Sequence, residues 1–136
     1  MPSIFTKIIN GEIPSHKVAE NERCFAFLDI RPVVFGHTLV VPKQEVDYYF
    51  DLDDDYLAEL NQFAKQVASV LRQEVECLRI GVMIAGLEVP HAHIHLIPMN
   101  SIGELSFTNT RPTFPADQMT ELADRLSRTY QAAYPE

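Results

Sequence analysis

Residues 90–98, Pro-His-Ala-His-Ile-His-Leu-Ile-Pro, hold three of the chain's five histidines in five positions: His91, His93 and His95. An imidazole titrates near neutral pH and can attack, donate or accept a proton. A spacing of two fits a β-strand, in which alternate side chains point to opposite faces. The three rings then share one face at a separation of about 6.5–7 Å, while Ala92, Ile94 and Leu96 turn into a core. A wet strand face explains one such histidine. Three in strict alternation, bracketed by Pro90 and Pro98, point to a nucleophilic or proton-transfer site. A His-x-His strand can also grip zinc or iron, and then wants a carboxylate nearby, for which Glu88 is the obvious local residue.

The elements that must position this strand can be read on either side of it. Residues 3–9 allow one helical turn, ended at Asn10-Gly11, and Pro14 marks the next bend. Residues 17–20 and 24–30 read as strands around Asn21-Glu22, and 37–41 as a third strand closed by Pro42. Its apolar character suits the middle of a sheet. Asp53-Asp54-Asp55 opens a long helix, because acidic residues cap and favour the N-terminal dipole. Leu57, Leu60, Ala64, Val67 and Leu71 follow helical spacing, widened by Phe63 and Val70, to an end near Glu76. Residues 79–85 form a fourth strand, all-apolar from Ile80 to Ala85, and 89–98 the fifth, with Gly86 between. Residues 100–114 read as a loop. A last helix spans 115–133 with Met119, Leu122, Leu126 and Tyr130 on one face. The fold class is α+β: a five-stranded, mainly antiparallel sheet with one long and one C-terminal helix.

At 136 residues, 46% hydrophobic and 22% charged, the chain fits a single domain over 1–136. No signal-peptide core or membrane-length apolar run is visible, so a cytoplasmic location is expected. A net charge of −8 without a basic stripe argues against a general nucleic-acid or membrane-surface partner. A single nucleotide remains possible, since local donors matter more there than net charge. Cys24 and Cys77, far apart in apolar surroundings, are expected to be buried free thiols.

His91-Ala-His-Ile-His-Leu-Ile97 resembles the signature of the histidine-triad (HIT) superfamily, small Hint-like branch. The likeness extends through Ser3-Ile-Phe-Thr-Lys-Ile-Ile-Asn-Gly-Glu-Ile-Pro14, Phe25-Ala-Phe-Leu-Asp-Ile30 and Gly36-His-Thr-Leu-Val-Val-Pro-Lys43, from Ser3 to about Met99. The resemblance implies a two-fold homodimer joining two sheets. It also implies a hydrolase or transferase acting on purine nucleoside phosphoramidates or dinucleotides through a nucleotidyl-histidine, with no cofactor. On that basis His93 is the nucleophile and His95 a donor to phosphate oxygens. His91 supports the strand, and His37 lies near the active histidine. Asp29 binds the ribose hydroxyls, and Phe5, Ile8, Ile13, Phe27, Leu28 and Ile30 build the base pocket.

The departures matter too. Many bacterial relatives carry a zinc-binding Cys-x-x-Cys and a further histidine where this chain has Ser3, Thr6 and Glu45, so no metal is expected there. Met83 and Gly86-Leu87-Glu88 replace the usual loop before the triad. Glu88 is expected at the nucleotide, either protonating the leaving group or bonding His91 to fix its orientation; the alternative is a solvated loop carboxylate. Two alternatives stay open: a nucleotide-binding protein with little turnover, and a metal-dependent hydrolase.

Overall fold

The computed structural model describes residues 2–108 and 110–135. Five strands form one antiparallel sheet: β1 (Lys17–Glu20), β2 (Cys24–Leu28), β3 (Thr38–Pro42), β4 (Arg79–Met83) and β5 (Ile94–Met99), in the order β1-β2-β3-β5-β4. β3 is central, as its apolar run predicts. Three α-helices complete the fold: α1 (Ile4–Ile9), α2 (Asp54–Glu74) and α3 (Ala116–Ala133).

Strand alternation divides the apolar residues between two faces. Cys24, Ala26, Leu28, Val40, Ala92, Ile94 and Leu96 meet the buried stripes of α2 and α3 in the main core. Phe25, Phe27, Leu39 and Val41 point the other way, against Phe5 of α1. The histidines lie on this second face, which is why a short helix and a small apolar cluster suffice to cover it. Asp53 caps α2 by accepting from the Tyr56 amide at 2.8 Å, and Asp54 and Asp55 occupy its first turn. Tyr56 is buried, and its hydroxyl donates to the Arg23 carbonyl at 2.6 Å, tying α2 to the β1–β2 side.

Several boundaries differ from the sequence expectation. The fifth strand was expected over 89–98, yet the ladder starts at Ile94, where β3 stops pairing at Val40. Residues 91–93 run on unpaired with β3, held instead by the Ala92 amide donating to Val46 O at 2.7 Å. The alternation of faces survives this change. The fourth strand ends at Met83 rather than at Ala85 and lies at the sheet edge, with Val82 58% exposed. Cys24 is buried and its thiol is pushed up to about 12 by burial, but Cys77 is only half-buried because it lies in the turn between α2 and β4. No helix among the described residues is long and apolar enough to cross a membrane.

Candidate active site at the histidine cluster

The hydrogen bonds around the histidines decide where each proton sits. His91 Nε2 lies 2.8 Å from the Pro42 carbonyl, which can only accept, so Nε2 carries the proton. Its Nδ1 therefore accepts from Ser3 Oγ at 2.7 Å. His91 is fully buried with both nitrogens engaged, so its ring holds structure rather than meeting a ligand. His93 Nδ1 lies 2.7 Å from the carbonyl of His91. It must donate, which leaves Nε2 of a neutral His93 with its lone pair.

A second relay begins at the Val33 amide, which donates to His37 Nδ1 at 3.1 Å. A neutral His37 then carries its proton on Nε2 and gives it to His95 Nδ1, 2.9 Å away. His95 is left with its proton on Nε2, as a donor. The His93 and His95 rings lie 4.8 Å apart between centroids, so a nucleophilic nitrogen and a hydrogen-bond donor stand side by side.

Burial is the main reason that His37, His91 and His95 are held below the ordinary histidine range. At neutral pH they are uncharged, which is the state both relays require. Gly36 sets the start of the second relay. Its φ is +95°, and a Cβ there would stand 3.1 Å from Pro98 and 3.2 Å from Val75, so a side chain is opposed by both backbone and packing.

The residues expected at a nucleotide divide into groups. Phe5 meets His93 edge-to-face at 5.1 Å and His91 at 5.7 Å, and packs on Phe27 at 5.5 Å. Ile8 packs against the same cluster, but Ile13, half-buried, does not join it. Leu28 corrects the expectation: it is 1% exposed in the main core, because its position in β2 alternates away from Phe27. Ile30 is 71% exposed just past β2 and packs in neither core cluster. Asp29 turns toward His37, with Oδ2 3.6 Å from Nε2, while its Oδ1 accepts from the Arg31 amide at 2.8 Å. His95, His37 and Asp29 offer ligand atoms within 4.8 Å of one another, but the His–His contact is already a shared-proton hydrogen bond.

Glu88 does not orient His91, whose nitrogens are taken by Ser3 and Pro42. Its partner is Arg111, at 3.4 Å, and its side chain is 63% exposed. Glu45 accepts at Oε1 from the Ser3 amide at 2.6 Å and from Thr6 Oγ1 at 2.7 Å, behind His91. The positions at which the resemblance puts zinc ligands are thus brought together, but as two hydroxyls and a carboxylate in a closed hydrogen-bond network. That set does not fit zinc, which takes thiolate, imidazole and carboxylate ligands.

Sequence reasoning missed Phe107 and Arg111. Phe107 lies nearly parallel to His37 at 5.9 Å and packs on His95 at 4.6 Å. A cavity of about 240 Å³ also opens on His93, lined by Tyr48, Phe50, Ile84 and Leu87. A phenylalanine and an arginine among the Ser, Thr, Asn and Pro residues of 106–113 were the available signal for the first pair. Their long-range partners were not legible.

A family model described as HIT domain matches residues 10–102. An uncharacterized 16.1 kDa HIT-like protein of Mycoplasma pneumoniae is 39% identical over 115 residues, covering 81% of this chain and 80% of that protein. An adenosine 5'-monophosphoramidase of Saccharomyces cerevisiae is 41% identical over 96 residues, covering 70% of this chain and 61% of that one. Among solved structures, a hypothetical histidine triad nucleotide-binding protein from Sulfolobus tokodaii superposes with a TM-score of 0.83 at 28% identity, over 95% of this chain and 92% of that one.

Proposed function

This chain belongs to the HIT domain family, and from that premise we propose that it is a nucleotidyl hydrolase or transferase acting through His93. The observation that carries the reading is the fixed pair of tautomers, a lone pair on His93 Nε2 beside an N–H on His95. The named phosphoramidase relative supports purine nucleoside phosphoramidates as the substrate class, with dinucleotides next.

In the first step the His93 Nε2 lone pair attacks the α-phosphorus. A P–N bond forms as the bond to the leaving group breaks, with its electron pair going to that group; an amine takes a proton from solvent as its bond breaks and departs neutral. Splitting one transfer in two is the gain from covalent catalysis. The attacking ring becomes cationic, and the His91 carbonyl, already accepting from Nδ1, stabilises it. His91 is therefore a positioning residue, with Ser3 and Pro42 holding its ring so that its carbonyl stays under His93. His95 Nε2–H meets the charge developing on the phosphate oxygens. Water then attacks phosphorus and gives up a proton to solvent, the P–N bond returns its electrons to Nε2, and the nucleoside monophosphate leaves.

Ile8, half-buried against Phe5 and Phe27 beside His93, is the apolar side chain that would meet a purine, and Ile30 is exposed one residue past Asp29. Asp29 is the acceptor for the ribose hydroxyls. Purified protein should release AMP from adenosine 5'-phosphoramidate, with His93→Ala as the control. No release from any nucleoside phosphoramidate or dinucleotide would leave the nucleotide-binding alternative.

We also propose a homodimer through β4. Among the described residues this strand pairs only with β5, and Val82, with Ile84 one residue past its end, exposes apolar surface. Sedimentation at micromolar concentration should give a dimer, and Val82→Lys should shift it toward monomer. A monomeric wild-type protein contradicts this assembly.

A further inference from the structure

Arg111 spans the rim of the histidine site. Its guanidinium donates to the Arg31 carbonyl at 2.9 Å, two residues beyond Asp29, and reaches Glu88 at 3.4 Å, three residues before His91. Its side chain is only 16% exposed. It lies 5.2 Å from the ring of Phe107, which itself covers His37 and His95. The cation is thus one aromatic ring away from the relay that arms His95. Its charge acts on both His37 and His95, helping to keep them neutral.

The pair with Glu88 is poorly suited to be permanent. At 3.4 Å, with Glu88 63% exposed, it is a solvent-screened contact of small net value. A phosphate offers a guanidinium two parallel acceptors and a higher charge. With the α-phosphate on His93 and His95, a leaving group that departs past Phe107 meets this rim. We propose that Arg111 reads the charge of the leaving group, binding one that is itself a phosphate or polyphosphate in place of Glu88.

This inference rests on nucleotidyl transfer to His93. When the P–O bond to such a group breaks, the electron pair goes to the departing oxygen, and the added negative charge is met by the guanidinium without a proton. An amine leaving group departs uncharged after protonation and gains nothing from Arg111. Glu88, which competes for the cation, weakens the preference. The carboxylate that replaces the usual residue of this loop then sets a balance between two classes of substrate.

The test compares kcat/KM for diadenosine tetraphosphate and adenosine 5'-phosphoramidate. In Arg111→Gln the ratio of the two should fall by about 10- to 100-fold, the range for losing one charge-assisted hydrogen bond. Arg111→Lys should recover part of the loss, and Glu88→Gln should raise the ratio. An unchanged ratio in Arg111→Gln, or an equal loss on both substrates, overturns the proposal. If the wild-type protein turns over neither substrate, nucleotidyl transfer fails on its own, and calorimetry decides the role of Arg111. A preference for ADP over AMP that Arg111→Gln abolishes keeps Arg111 as the phosphate reader; a preference that is absent, or survives the substitution, rejects it.

Discussion

His93→Ala is expected to lose at least about 10³-fold in turnover while keeping its fold, the size of loss usual for a covalent nucleophile. The substitution removes the ring whose Nδ1 is held to a backbone carbonyl and whose Nε2 is left to attack. The structural cost is bounded. The His91 carbonyl loses its donor, worth about 1–3 kcal/mol when a buried group goes unsatisfied. Phe5 loses one edge-to-face neighbour but keeps Phe27 and His91. Circular dichroism and thermal melting should therefore show a folded, somewhat less stable protein. His93→Gly with added imidazole should restore part of the rate, because the small nucleophile fits the space left by the ring. Near wild-type turnover in His93→Ala would remove the mechanism.

Stability should fall steeply as pH drops from 7 to 5. Burial holds His37, His91 and His95 below the ordinary histidine value in the folded protein, whereas the unfolded chain protonates them near pH 6.5. Below that pH the unfolded state binds protons that the folded state refuses, so the slope of unfolding free energy against pH is positive. Each such histidine contributes about 1.4 kcal/mol per pH unit once the unfolded form is fully protonated. For His37 and His95, held down at about 4 and about 3, the loss between pH 7 and 5 reaches up to about 4 kcal/mol, a large part of the whole stability of many domains, and His91 acts in the same direction. Glu45 and Glu20 act in the same direction at lower pH. The Ser3 amide holds the first below the usual carboxylate range and the Lys17 ammonium the second, so both lose stabilisation as they protonate. Urea titrations at pH 7, 6 and 5 measure the slope. A flat profile would show that the histidines are not buried in neutral form.

What the sequence disclosed depended on how local the signal was. Alternation placed His91, His93 and His95 opposite Ala92, Ile94 and Leu96, and that held even where the ladder did not begin until Ile94. The Asp53 cap and the helical stripe through Leu60, Val67 and Leu71 were legible because capping and periodicity act within a few residues. Leu28 was misplaced because a match of position to a family pocket ignored the strand period that sends it into the main core. For Glu88 the roles open from the sequence were a proton donor to the leaving group, a partner of His91 or a solvated loop carboxylate, and its actual partner, Arg111, lies 23 residues away. The Ser3–His91 and Glu45–Ser3 bonds span 88 and 42 residues, distances at which only the folded chain brings donors and acceptors together. Phe107 and Arg111 come from a loop whose composition gives no register, so nothing local reveals that they fold back over His37 and His95.

The most direct measurement traps the enzyme during turnover. Wild-type protein mixed with adenosine 5'-phosphoramidate, quenched without acid to preserve a P–N bond and digested, should yield one peptide carrying a single adenylyl group. Fragmentation should place that group on His93. An adduct on another residue, or product formation with no adduct under any quench time, would contradict attack by His93.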